Sequence, residues 1–245
     1  MTIRPTVSVV EHEPGAPLGR MNTWLEDAGL KVDICRPYEG EELPAQGRFD
    51  ALVVLGSQAG ARDDDRAPWL PALRSLMGAT ADSGTPLLGI CLGAQLLAVA
   101  AGGEVHRSDA GPEIGVIRVD LSADAATDDL ASALPDPFAS FSYHYDEITA
   151  LPPGAVLLGG TKRFPLQLFR VGRAAWGIQS HPEVAPDDFL GWVAKDPAGL
   201  PQEKRLQVRA EVAERYRLLR DHGKAAAAAF AAVVQRHADQ CAGSR

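Results

Sequence analysis

Two kinds of hydrophobic pattern succeed one another along the chain. Short runs at 7–10, 49–55 and 86–90 have the length and apolar character of buried strands, and 31–35 reads as a further strand. Between them, 18–28 and 68–80 repeat apolar residues at helical spacing, with Leu70, Leu73, Leu76 and Met77 forming the second stripe. Gly29 closes the first helix, and Pro68 and Pro71 mark the start of the second. Strand, helix, strand alternation of this kind requires right-handed crossovers, and so predicts an open, mostly parallel α/β sheet with helices on both faces. Short strands are predicted at 104–107 and 116–121, a helix start at Thr127-Asp128-Asp129, and an aromatic strand over 139–147. A hairpin pairs 166–170 with 174–180 around Val171-Gly172-Arg173. Beyond it, 201–220 and 223–240 read as two helices parted by Gly223 as a C-cap, giving a C-terminal helical hairpin packed back on the body. The organisation expected is an α/β domain over 1–190 and a helical extension over 191–245.

Composition narrows the class of partner. The 245 residues carry a formal charge of −8, and no run of Lys and Arg is long enough for a basic stripe, which argues against nucleic acid. Small polar substrates or a protein partner fit better. Cys35, Cys91 and Cys241 are too few and too scattered for a disulfide framework, and none has metal-ligand spacing. The N-terminus lacks the apolar core of a signal peptide, and no apolar run reaches bilayer-spanning length. A soluble, cytoplasmic protein without membrane contact, metal or cofactor is expected.

The chemistry gathers at two places. In Leu87-Leu88-Gly89-Ile90-Cys91-Leu92-Gly93-Ala94, an apolar strand passes through a glycine-flanked cysteine into a run of helix formers. Such a strand-to-helix elbow presents its central side chain as a nucleophile. A thiol at a helix N-terminus faces unpaired N–H groups that favour thiolate, and the N–H of Leu92 is placed to bind an oxyanion. A free cysteine is more commonly a small buried hydrophobe. Far downstream, Trp176-Gly177-Ile178-Gln179-Ser180-His181-Pro182-Glu183 supplies what the elbow lacks: a base, His181, and a carboxylate, Glu183, that can fix its ring.

These two segments resemble the signatures of the class I (triad) glutamine amidotransferases. The resemblance extends to 49–71, to Glu113-Ile114-Gly115 and to Tyr143-His144-Tyr145-Asp146, and within the family it is similar to the glutaminase domain of GMP synthase. It implies a flavodoxin-like fold, a catalytic triad of Cys91, His181 and Glu183, and an oxyanion hole formed by Leu92 and the loop of Gly56 and Ser57. It further implies that Gln95, Tyr143 and His144 lie beside the bound glutamine. The family's loop commonly reads Gly-Gly-Pro, where this chain has Gly56-Ser57-Gln58. The implied activity is hydrolysis of the glutamine side-chain amide through a cysteinyl thioester, with ammonia passed to a separate synthetase chain, because no ATP-binding phosphate loop occurs here. Two alternatives stay open: a free-standing hydrolase of γ-glutamyl amides or peptides, and a non-hydrolytic cysteine-elbow protein serving in redox sensing or binding.

Overall fold

The computed structural model describes residues 4–196 and 198–243. Residues 1–3, part of the N-terminal segment read above for signal character, lie outside the described residues. The chain begins with strand β1 (Thr6–Val10), helix α1 (Arg20–Asp27), β2 (Lys31–Cys35), β3 (Ala51–Val54), α2 (Leu70–Ser83), β4 (Leu87–Ile90) and α3 (Leu92–Ala100). It continues through β5 (Glu104–Arg107), β6 (Glu113–Leu121), β7 (Phe138–His144), β8 (Asp146–Ala150), β9 (Val156–Gly160), β10 (Leu168–Val171) and β11 (Ala175–Ile178). Two helices close it, α4 (Pro186–Ala194) and α5 (Gln202–Gly243).

Nine strands form one sheet in the order β2-β1-β3-β4-β11-β10-β9-β6-β7, and β5 pairs with β8 separately. The parallel sheet expected from the alternating pattern runs from β2 to β11. From β11 outward every pairing is antiparallel, and β9, β10 and β11 follow one another through short turns that no crossover helix could fit. Alternate residues of the central strands serve opposite faces. Val7, Val9, Leu88 and Ile90 pack with Met21 and Leu25 of α1 and Phe230 and Val234 of α5. Leu52, Val54 and Leu87 pack with Leu73 and Met77 of α2 and Leu96 and Leu97 of α3. Helices therefore cover both faces, as the strand patterns require.

Two sequence expectations need correction. No α-helix starts at Thr127. Short 3₁₀ turns flank Asp128, whose buried carboxylate is taken up by tertiary donors, the indole N–H of Trp176 at 2.9 Å and Arg170 at 2.7 Å, besides the N–H groups of Leu130 and Ala131. The C-terminal hairpin is also absent: α5 is one helix of 42 residues that runs straight through Gly223. That glycine is required by contact rather than by a turn. A Cβ there would sit 2.4 Å from the carbonyl oxygen of Pro182 and 3.1 Å from the Trp24 ring. Helix α4, not foreseen, straddles the domain boundary expected at 190.

The contact at Gly223 gives a direct test. Alanine is the better helix former by about 1 kcal/mol, yet Gly223→Ala is expected to destabilise the fold by roughly 1–3 kcal/mol, since overpacking against backbone outweighs propensity. Urea unfolding of the two proteins measures it.

Candidate functional site

Three neighbouring strands deliver the site to one rim. Val54 of β3 pairs with Gly89 of β4, and Gly89 pairs with Gly177 of β11. Two residues past that level stand Gly56, Cys91 and Gln179, and His181 follows two residues further on. The N–H of Cys91 donates to Ile178 O at 2.8 Å, and the N–H of His181 donates to Phe141 O at 2.7 Å. Parallel register thus brings together segments some ninety residues apart, at the carboxyl ends of the strands where open α/β sheets bind ligands.

The reversal at Cys91 is sharp. Its φ of 51° and ψ of −106° make it the one non-glycine residue with positive φ among the described residues. Both flanking glycines are forced by close approach. A Cβ on Gly89 would lie 2.4 Å from Gly93 O, and one on Gly93 would lie 2.0 Å from Val54 O. The start of α3 is therefore pressed against β3 and β4, and any larger residue would push Cys91 away. Leu92 opens α3, so its N–H has no acceptor within the helix. Cys91 is 5 % exposed, and its Sγ lies 3.9 Å from Tyr143 O.

His181 is buried, with Nδ1 and Glu183 Oε1 2.8 Å apart. Burial alone would push the imidazole pKa down. The Glu183 carboxylate and the Cys91 side chain together outweigh it and raise the value to about 10, so the ring holds a proton at neutral pH. With Nδ1–H given to Glu183, Nε2 is the nitrogen left for work on a substrate. A Cβ built on Gly56 would meet His181 Cε1 at 3.0 Å and Cys91 Sγ at 3.8 Å. The Gly56 backbone therefore borders both thiol and imidazole, and only glycine leaves that space open. Ser57 Oγ accepts the N–H of Ala59 at 3.1 Å.

The remaining sequence candidates are held close by, each in a different way. Gln95, one turn along α3 from Cys91, is buried and donates from Nε2 to Asp146 O at 3.1 Å and to Gln179 Oε1 at 3.2 Å. Tyr143 offers its carbonyl to the thiol while its hydroxyl reaches Asp196 at 2.7 Å. His144 has both ring nitrogens engaged, Nδ1 with Asp146 O at 2.9 Å and Nε2 with Glu113 at 3.1 Å. Glu113 also accepts from Ser142 and Gln167, so the segment resembling a family marker is the hub of a buried polar network behind the site.

Sequence reasoning missed Trp192, whose ring meets His181 edge-on at 5.0 Å and whose indole N–H donates to Gly15 O at 2.7 Å. It also missed Asp196, which accepts from the hydroxyls of both Tyr143 and Tyr145. The signal for α4 was present: Pro186 at the first helical position followed by Asp187-Asp188, acidic residues that suit a helix N-terminus. Among the described residues no cluster of three or more His, Cys, Asp or Glu could hold a metal ion, and no helix is long and apolar enough to cross a membrane.

Comparison with known proteins bears on the same rim. The chain is similar to gamma-glutamyl peptidase 5 of Arabidopsis thaliana, 32% identical over 167 residues that make up 66% of this chain and 65% of that protein. It is 36% identical over 145 residues to the glutamine-hydrolyzing GMP synthase of Aeropyrum pernix, but there the match spans 59% of this chain and only 26% of the relative. Among solved structures, a glutamine amidotransferase from Thermotoga maritima superposes with a TM-score of 0.81 over 94% of this chain and 99% of the other at 24% identity, which establishes a shared fold. The family model for glutamine amidotransferase class-I matches residues 23–190. With its strand-end cysteine elbow on a sheet of this topology, the chain belongs to the class-I glutamine amidotransferase family.

Proposed function

We propose that the chain hydrolyses the γ-amide of glutamine or of a γ-glutamyl compound, with Cys91 as nucleophile, His181 as acid and base, and Glu183 orienting the ring. The observation that carries this reading is the convergence of thiol, imidazole and carboxylate at one rim, with His181 bound to Glu183 and raised in pKa by both neighbours. The Cys91 sulfur attacks the amide carbon. The tetrahedral oxyanion is held by the N–H of Leu92 and an N–H of the Gly56–Ser57 loop. Collapse of the intermediate breaks the C–N bond as His181 Nε2–H protonates the departing nitrogen, leaving a γ-glutamyl thioester on Cys91. Neutral His181 then takes a proton from water, which attacks the thioester to release glutamate and restore the thiol.

The fate of the amine divides two readings. Ammonia delivered to a separate synthetase fits the likeness to the glutaminase part of GMP synthase. A free-standing γ-glutamyl hydrolase is favoured by the match to gamma-glutamyl peptidase 5, which spans far more of the relative than the match to GMP synthase does. Release of glutamate from glutamine and from a panel of γ-glutamyl amines, measured on the isolated chain, discriminates. Substantial turnover of γ-glutamyl amines without any partner is expected for the hydrolase. Turnover that starts only when a synthetase chain is added points to the amidotransferase subunit. Oxidation of Cys91 without hydrolysis of any of these compounds would defeat both.

A further inference from the structure

We propose that Glu13 is a positioning residue that sets the oxyanion loop, an inference that rests on the reading of Cys91 as nucleophile. The loop runs from Gly56 at the end of β3 to Trp69 before α2. Gly56 has no side chain to restrict it, and its space between His181 and Cys91 admits none. A peptide N–H here can meet an oxyanion for only one orientation of its plane, so something outside the loop must fix that orientation.

The end of β1 lies alongside, since Val10 pairs with Val54 and the N–H of Leu55 donates to Val10 O at 3.1 Å. The three residues beyond Val10 take separate tasks. Glu11 is buried and receives Arg36 at 3.1 Å and Tyr38 at 3.2 Å, bracing the β1–β2 edge. His12, whose pKa burial lowers to about 4, is neutral and accepts the indole N–H of Trp69 at 2.9 Å, so it holds the far end of the loop. Glu13 Oε1 accepts the N–H of Gln58 at 3.1 Å, two residues from Gly56. That bond fixes the Ser57–Gln58 peptide plane, and through the shared Cα of Ser57 it limits the plane before it.

Other contacts hold the middle of the loop but not its first turn. Asp63 accepts the N–H of Gly60 at 2.8 Å, and Arg74 donates to Ala61 O and to both carboxylate oxygens of Asp64, each at 2.8 Å. Ser57 Oγ takes the N–H of Ala59, a bond internal to the turn that cannot orient it relative to Cys91. Among the described residues, Glu13 is the side chain whose hydrogen bond ties the donor-bearing turn to the segment leaving β1.

The test uses the full chain and its best γ-glutamyl substrate. Glu13→Ala is expected to lower kcat by roughly 10–100-fold, less than the loss of an oxyanion donor itself, while KM stays within about threefold. Alkylation of Cys91 by iodoacetamide, a displacement that develops no oxyanion, should proceed at the unmutated rate. Glu13→Gln, whose amide oxygen can still accept the Gln58 N–H, should keep kcat within about threefold. Unchanged kcat in Glu13→Ala, or a fall in kcat matched by an equal fall in alkylation, would overturn the assignment. Absence of turnover in the unmutated chain would remove the underlying reading as well, so the two failures look different.

Discussion

Cys91→Ala is expected to lower amide hydrolysis by about 10⁴-fold or more, the scale seen when a nucleophile is removed and only binding and oxyanion stabilisation remain. Glutamate release in a coupled assay measures it. Residual turnover above about one hundredth of the unmutated rate would displace Cys91 from its role. The same position makes a second, less usual forecast. With φ at 51° and ψ at −106°, Cys91 holds a backbone conformation that glycine adopts freely and other residues resist. Strain of this kind costs of order 1–3 kcal/mol and persists where function demands it. Cys91→Gly should therefore be as inactive as Cys91→Ala but more stable than it by about 1–2 kcal/mol, the reverse of the ranking in helix interiors. Equal stability of the two variants in urea would show that the elbow stores no strain.

What the residues disclosed in advance follows from how local each signal is. The strands and helical stripes of the first hundred residues sit where the structure has β1 to β4 and α1 to α3, because burial on both faces of the inner strands β1, β3 and β4 leaves continuous apolar runs that need no tertiary information to read. The elbow was legible for a similar reason: Gly89, Cys91 and Gly93 carry the steric requirement in their own identities. That Cys91 and His181 meet was not legible from patterning, since it depends on β4 and β11 being neighbours in register, and the resemblance to a family supplied it. Gly223 shows the opposite failure. A glycine in a helical pattern reads equally as a C-cap or as room for another backbone, and only the carbonyl of Pro182 decides between them. Asp128 misled differently: its carboxylate does accept the N–H groups of Leu130 and Ala131, but only a short 3₁₀ turn follows, and Trp176 and Arg170 share the same carboxylate. Glu13 left no trace in the sequence, since a bond from a side chain to a backbone N–H forty-five residues away has no local pattern.

Glu183→Gln is expected to lower kcat by roughly 10²–10⁴-fold while leaving the fold intact, because the amide can present its NH₂ to Nδ1 and favour the wrong tautomer of His181. The sign of the accompanying pH effect follows from the pKa of His181. Burial lowers it, and Glu183 with Cys91 raises it from 6.5 to about 10. A group whose folded pKa lies above its unfolded value binds its proton more tightly in the fold. Its contribution to stability is thus complete below about pH 6.5 and is lost as pH rises through about 10. Without the Glu183 charge, burial is opposed by Cys91 alone and the His181 pKa falls, so the stability lost between pH 6.5 and 10 shrinks. Urea unfolding of both proteins at pH 6.5 and pH 10 reads the difference, and the imidazole signals of His181 in NMR locate its midpoint. A midpoint that stays near 10 in Glu183→Gln would mean that Cys91, not Glu183, holds the proton on the ring, and the orienting role of the carboxylate would fall with it.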